Sequence, residues 1–446
     1  MDSLTRRQFL AAVGASSSLA AVGFAQDSGA AGNASADITL RISEITFDVG
    51  PRRTVKTVAY NGQAPGPLLR LPEGKPVTVD VFNETRAEEL VHWHGLHIPP
   101  EVDGSHEEGT PYVPARGQRR YVFTPEPSGT RWYHSHVSAG RDLRKATYSG
   151  QFGMLIVEPR TDPGRYDLEV PLLLHEWAPF WDDNGPLSVG YKLYSINGKM
   201  LGAGEPVRVK AGQRVLFRIL NASATLTHRL ALPGHLFHVV ALDGNPVPAP
   251  QSVPFLDLGP AERIDAVVEM NSPGVWILGS TDDERRAAGM GIVIEYANAA
   301  GSPRWAARLA APWDYTAFGE HNTPAEPDAR VRLVFKEQPG HRWTINGKSF
   351  PKTDPILVQA NRRYRWIFDN QSADAHPVHL HRHTFELIRV AGRPTSGVMK
   401  DVVMVPAWKE VEIDVTADHP GPTLFHCHQQ FHMDSGFMAM MLYRSA

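Results

Sequence analysis

One module recurs three times along the 446 residues and restricts the possible fold more than any other feature. Tyr60-Asn61-Gly62 leads through Pro76-Val77-Thr78-Val79-Asp80-Val81 to Asn83. Ile196-Asn197-Gly198 leads through Arg214-Val215-Leu216-Phe217-Arg218-Ile219 to Asn221, and Ile345-Asn346-Gly347 through Arg363-Tyr364-Arg365-Trp366-Ile367-Phe368 to Asn370. Each copy holds an Asn-Gly turn signal, a connection, and a strand with large apolar or aromatic residues at alternate positions. A unit repeated on this scale predicts three similar β domains in a row. The 38 glycines and 36 prolines suit such a turn-rich chain better than helical bundles.

Counting from each closing Asn separates the copies by chemistry. Nine and eleven residues on, the first has His92 and His94, the third has His379 and His381, and the second has Leu230 and Leu232. Near each domain's end, Gly129 to Tyr133 runs into His134-Ser135-His136, Gly421 to Phe425 into His426-Cys427-His428, and Gly274 to Ile277 into Leu278-Gly279-Ser280. The middle copy keeps the strands and lacks the ligands. These landmarks predict domains over 37–160, 161–300 and 331–446. Residues 301–330 continue an Ala- and Pro-rich stretch that begins at Ala297, contains Trp305 and Trp313, and reads as a linker lying on the surface.

Ahead of the domains, Arg6-Arg7, an apolar run from Ala11 to Phe24 and small residues ending at Ala25 resemble a twin-arginine export signal over 1–25, with a polar tether over 26–36. The run is too short for a bilayer core that needs about 20 apolar residues. The mature protein is therefore expected to lack a membrane span and to reach a bacterial periplasm, or beyond, through the twin-arginine translocase. A formal net charge of −3 argues against a nucleic-acid partner and a polybasic membrane surface.

A His-x-His run on a strand turns both rings to one face. His92/His94, His134/His136, His379/His381 and His426/His428 are four such pairs, and eight imidazoles exceed the four to six ligands of one ion, so a site for several metals is expected. Cys427, the only cysteine, lies between the rings of its own pair and points to the opposite face. A lone buried thiol is ordinarily core filling, yet the neighbouring His426, His428 and His432 make that reading costly unless something coordinates them. Cys427 then serves a separate metal, with His432 and His376 completing a Cys-His-His set for which copper and zinc compete. Electrons arriving there have a route through the Cys427 backbone into His426 or His428. A cluster fed one electron at a time suits the four-electron reduction of dioxygen to water.

With these residues the chain resembles the multicopper oxidase family, the laccase-like and copper-efflux-oxidase-like enzymes built from three cupredoxin domains. The resemblance rests on HWHG from His92, HSH from His134, HPVHLH from His376 and HCHQQFH from His426, and extends over nearly everything after the signal. It implies an all-β chain of three consecutive cupredoxin-like Greek-key β-barrels holding four copper ions. His376, Cys427 and His432 would hold a type 1 copper, and His92 with His379 a type 2 copper. His94, His134 and His428 would hold one type 3 copper, and His136, His381 and His426 the other. Dioxygen is the implied acceptor and a small-molecule or metal-ion reductant the donor. Asp103, in Glu101-Val102-Asp103-Gly104, falls where family members place an acid that hydrogen-bonds near the cluster and supplies protons. On local sequence alone it reads as an Asp-Gly turn residue.

Departures from the family pattern carry their own expectations. The axial type 1 position, ten residues after Cys427, is Phe437 where a Met would be a weak ligand, and Met438 comes one residue late and points away. A phenyl ring donates nothing to Cu(II), so a high potential is expected, suited to phenolic or aromatic amine donors. Arg382 stands where many relatives carry Gly, and Met433 where bacterial relatives often carry an acid, leaving Asp103 or Asp434 to deliver protons. The absence of a Met-rich insertion favours an organic reductant over Cu(I), Mn(II) or Fe(II). A copper nitrite reductase would need three catalytic His, fewer than are paired here; a periplasmic copper store or assembly factor would not need the Cys427 bridge. Of the other histidines, His97 and His383 edge the clusters. His106, His175, His228, His235, His238, His321, His341 and His419 read as turn, surface or core residues.

Overall fold

Each Asn-Gly pair makes a tight hairpin turn that also fastens its domain's first strand. Asn61 and Gly62 (φ 52° and 73°), Asn197 and Gly198 (53° and 72°), and Asn346 and Gly347 (52° and 82°) all take the left-handed conformation. Two successive positive φ values define the turn that matches strand twist, and Asn and Gly tolerate them best. The Asn side chains then reach outward in one pattern. Asn61 accepts from Arg41 N at 2.6 Å and donates to Thr39 O at 3.0 Å. Asn197 does so to Leu173 N and Pro171 O, and Asn346 to Val334 N and Arg332 O.

This is a computed structural model in which residues 35–444 are described, apart from 162–163, 165, 183–187 and 307–311. The export signal and most of the tether lie outside the described residues. Among the described residues six sheets pair off along the chain. In the first domain one sheet runs Arg53–Tyr60, Ile38–Gly50, Val77–Asn83, Gln118–Phe123, and its partner runs Leu69–Pro72, Phe152–Glu158, Gly129–Ser135, Val91–His94. The third domain repeats the second of these as Ile356–Val358, Met438–Tyr443, Thr423–Cys427, His376–Leu380, with Val402–Val405 added at the edge. The middle domain builds it from Val207–Val209, Gly291–Tyr296, Val275–Ser280, His228–Ala231 and Phe255–Leu258. In every copy the first strand pairs parallel to the strand that closes on Asn. Among the described residues no helix is long and apolar enough to cross a membrane.

The closing Asn is a buried corner post. Asn83 donates to the carbonyls of Ala87, Val113 and Pro114, Asn221 to those of Leu226 and Leu258, and Asn370 to those of Asp374, Val405 and Pro406. Each also accepts the backbone N–H two residues on. The post fixes where the chain leaves one sheet and therefore which residues enter the other. In the middle domain those residues are Leu230 and Leu232, fully buried in an apolar core continuous with that of the third domain.

Within the 301–330 stretch, whose described residues otherwise lie mostly at the surface, a short segment is buried. Tyr315 and Phe318 are buried, and Tyr315 Oη donates to Glu262 at 2.6 Å. Trp313 packs against Phe255, Tyr315 and Phe318. Aromatic side chains gain more from burial than an exposed strap would allow.

Asn221→Ala tests the corner post away from any ligand strand. It removes the donor to the Leu226 and Leu258 carbonyls, at about 1–3 kcal/mol each, so the thermal midpoint is expected to fall by several degrees.

Candidate metal centre

The four ligand strands meet because antiparallel pairing sets the histidines side by side. His92 lies opposite His134, and His379 opposite His426. All eight rings of the His-x-His pairs are buried. Their donor atoms gather into three close groups: His94 with His134 and His428, His136 with His381 and His426, and His92 with His94 and His379, each within 4.8 Å. His426 Nε2 lies 3.1 Å from His381 Nε2 and 3.5 Å from His136 Nε2.

Six of the eight rings are held from behind by oxygen. His92 Nδ1 meets the Asp103 carbonyl at 2.9 Å, His379 Nδ1 the Asp401 carbonyl at 2.8 Å, His134 Nδ1 the Ser135 carbonyl at 2.8 Å, and His426 Nδ1 the Cys427 carbonyl at 3.0 Å. Asp103 Oδ2 accepts from His381 Nδ1 at 2.8 Å and lies 3.0 Å from His92 Nδ1. Asp401 Oδ1 lies 3.1 Å from His94 Nε2, which turns the other nitrogen of that ring inward. The opposite nitrogens, His92 Nε2, His94 Nδ1, His134 Nε2, His379 Nε2 and both of His428, are buried without any partner. Orphaned buried nitrogens on neutral imidazoles are costly, and copper fits this donor set. Burial, reinforced by neighbouring rings, holds His94, His134, His136, His379 and His428 well below the ordinary histidine range, and lowers His381 to about 4.

On the other face of the same strand, Cys427 Sγ lies 3.6 Å from His432 Nδ1 and 3.8 Å from His376 Nδ1, and those two nitrogens are 3.2 Å apart. Ser372 Oγ meets His376 Nε2 at 2.9 Å, fixing the ring. Burial pushes the Cys427 thiol up, so a ligated metal is what would make it a thiolate. Phe437 is fully buried with its ring 4.9 Å from that of His376. Met438 is the register partner of His426 and so lies on the face away from the sulfur. A cleft of about 510 Å³ reaches the edge of His432 between the middle and third domains, lined by Leu226, Trp343, Asp374, Phe431 and Glu337 among others. The middle domain supplies one wall, and no described residue of the 301–330 stretch lines it.

Two departures have structural reasons. Arg382 takes φ 57°, the left-handed region a Gly would occupy without strain. Its guanidinium compensates by donating to the carbonyls of Ile98, His419, Pro420 and Pro422 and to Thr423 Oγ1. Asp434 is committed to the first domain, accepting from Ala139 N and Gly140 N at 3.0 and 2.9 Å.

Three acids escaped the sequence reading. Asp401 is one. Glu108 is fully buried beside Asp103; burial and the Asp103 charge raise it strongly, while His92 and His381 overcome burial and hold Asp103 below the usual carboxylate range. Asp103 Oδ1 and Glu108 Oε2 are both buried without a partner, and one proton shared between the two carboxyls would satisfy both. Glu89 is the third, accepting from Ser135 Oγ at 3.1 Å. It stands six residues after Asn83, as His376 stands six after Asn370, and Ser135 pairs with Val91 as Cys427 pairs with Val378. The first domain thus holds a carboxyl and a hydroxyl where the third holds imidazole and thiol. Counting six from the closing Asn would have found it.

A three-domain, all-β chain with such a centre defines the multicopper oxidases. Sequence models of that family match residues 41–162, 186–296 and 322–446, and the chain belongs to it. It is 30% identical over 431 residues to the multicopper oxidase MmcO of Mycobacterium tuberculosis, covering 87% of this chain and 83% of that one. It is 27% identical to Laccase-2 of Podospora anserina, covering 91% and 78%. The crystal structure of a multi-copper oxidase from Pseudomonas thermotolerans superposes with a TM-score of 0.73 at 27% identity, covering 92% of this chain and all of that one. The protein is a copper oxidoreductase that uses oxygen as acceptor and oxidises a reductant.

Burial raises Glu89 from the ordinary 4.5 to about 7. The folded chain keeps that proton up to about pH 7, whereas an unfolded carboxyl releases it near 4.5, so the native state loses stability as pH rises through this window. Glu89→Gln keeps the acceptor for Ser135 and is expected to stabilise little at pH 4 and by as much as ~3 kcal/mol at pH 8. Thermal midpoints of parent and variant across that range check it.

Proposed function

We propose that the chain couples one-electron oxidation of a phenolic or aromatic amine donor to four-electron reduction of dioxygen to water, with four copper ions. In this reading His376, Cys427 and His432 hold type 1, with Phe437 as an axial neighbour that donates nothing. His92 and His379 hold type 2; His94, His134 and His428 hold one type 3 ion, and His136, His381 and His426 the other. The observation that carries it is the division of one strand: Cys427 Sγ lies within 3.8 Å of His376 and His432 on one face, while His426 and His428 join the imidazole groups on the other. Copper, when bound, supplies one-electron redox steps that let electrons accumulate until the oxygen–oxygen bond is cleaved.

The chain's own residues do the rest. The Cys427 peptide is a covalent link of one residue from the sulfur to each flanking ring. Reduction to water consumes four protons in a site closed to solvent, and the buried Asp103–Glu108 pair offers a carboxyl-held proton beside His92 and His381. His432, at 7% exposure, presents its edge to the cleft, where Trp343, Phe431 and Leu226 give an aromatic donor apolar surface. The domain bounds 37–160, 161–300 and 331–446 go with this reading. So does export of the mature chain to the periplasm or beyond, directed by residues 1–25 through the twin-arginine translocase.

One observation favours a metal-ion donor instead. Asp374 and Glu337 both line the cleft, and Asp374 Oδ2 lies 3.9 Å from His432 Nε2. Carboxylates there would suit Fe(II) or Mn(II), and not the softer Cu(I). Steady-state oxygen uptake with a phenol, an aromatic amine and each metal ion separates the two readings, since the organic reading requires the higher kcat/KM for an organic donor.

Two variants test the assignment. Cys427→Ser is expected to abolish the blue thiolate band and donor oxidation while leaving the histidine-bound copper in place, as read by metal count and EPR. Asp103→Asn is expected to keep the band but slow oxygen reduction by roughly a hundredfold, with the blue colour bleached by donor returning correspondingly slowly in air.

A further inference from the structure

Outside the copper centre, three more histidines converge where the first domain meets the third. The His97 ring lies 4.3 Å from that of His419 at 66°, and the His419 ring lies 5.3 Å from that of His383 at 78°. Inside the copper centre, His136 stands 4.9 Å from His381 and 5.2 Å from His426. The spacing and the edge-on attitude of the rings are alike.

The hydrogen bonds fix the same tautomer on two of these rings and leave the third free. His419 Nδ1 donates to Asp418 Oδ1 at 2.6 Å, and His383 Nδ1 donates to the His381 carbonyl at 3.1 Å. Both rings therefore carry their lone pair on Nε2. His383 Nε2 accepts from Tyr443 Oη at 2.9 Å, a contact that an ion can displace. His97 Nε2 is buried with no partner at all. Burial, with His419 next, keeps His97 well below the ordinary histidine range, so it is neutral. An imidazole oriented by a carboxylate and presenting Nε2 is the arrangement found behind metal-ligating histidines. Ions have access, since the His419 and Asp418 side chains are 29% and 48% exposed.

We propose that His97, His383 and His419 form a binding site, distinct from the copper centre, for one divalent ion of borderline softness such as Zn2+, with Asp418 orienting His419. Three imidazoles suit zinc or Cu(II) rather than magnesium or calcium, which prefer oxygen. The ligands come from two domains, so an ion bound there ties residue 97 of the first to residues 383 and 419 of the third. Binding only to the folded form raises stability by mass action.

The test uses the full copper-loaded protein, cleared of loosely held metal by a brief exposure to chelator and then titrated with Zn2+. One zinc per chain beyond the copper is expected, with a rise of several degrees in the thermal midpoint. His419→Gln and His97→Gln should each lose the zinc and the rise while keeping the blue band and oxygen uptake. His238→Gln, at an exposed histidine elsewhere, should lose neither. The proposal is overturned if the parent takes up no zinc beyond its copper, or if His419→Gln binds zinc as the parent does. Because His419 is at the surface, that variant decides even where His97→Gln fails to fold, and the blue band reports separately on the copper reading.

Discussion

The structure depends on oxygens placed behind imidazoles. A buried ring left to itself would lose both hydrogen bonds, and rings at 5 Å would compete for protons; tying the outer nitrogen of one ring after another to a carbonyl or carboxylate aims the inner one at the centre. Two aspartates do this across domains. Asp103, from the first, holds His92 of its own domain and His381 of the third. Asp401, from the third, holds His379 by its carbonyl and His94 of the first by its carboxylate. Ligand geometry and domain docking are therefore one problem.

That explains what a domain without ligands contributes. Asp401 is fully buried, and a carboxylate there is tolerable only if paired. Its partner is Arg263 of the middle domain, which donates to both oxygens at 2.6 and 2.5 Å and is itself buried. Leu230 and Leu232 stand where the outer domains carry histidines and fill the middle domain's core, and the same domain supplies the counter-charge to Asp401. The same comparison sets the third domain's Cys427 group apart from the other two copies. Six residues after the closing Asn the three copies carry Glu89, Thr227 and His376, and between the paired positions Ser135, Gly279 and Cys427. Only the last combination offers the thiol and imidazole donors that suit a soft metal.

Legibility in the sequence followed the range of the interaction. The Asn-Gly turns, the closing Asn strands and the facing of each His-x-His pair follow from local geometry, and counting between copies located the ligandless domain. The acids did not show, because their meaning lies far along the chain: Asp401 meets His94 across 307 residues, and Glu108 matters only once His381 has arrived beside it. Asp103 was visible through family resemblance, since an Asp before Gly is otherwise an ordinary turn. The burial of Tyr315 and Phe318 was hidden for the opposite reason. A Pro- and Ala-rich composition reads as a linker, and only the aromatic residues within it hint at packing.

The cleft beside His432 shows how donor selection and metal geometry constrain each other. Its middle-domain wall includes the turn that follows Asn221, with Thr225 and Leu226 facing the opening beside Ser188 and Val189. The Ala224 carbonyl of that turn accepts from Gln430 N at 3.1 Å, at the start of the short helix Gln430–Asp434 that carries His432. Asn221 holds the turn through Leu226 O, and Tyr191 Oη meets Thr225 Oγ1 at 2.8 Å. A shift in the backbone of this turn loads the helix bearing His432. Side chains pointing into the cleft, such as Leu226, can vary freely, whereas the backbone of residues 221–224 cannot move without moving His432 relative to Cys427.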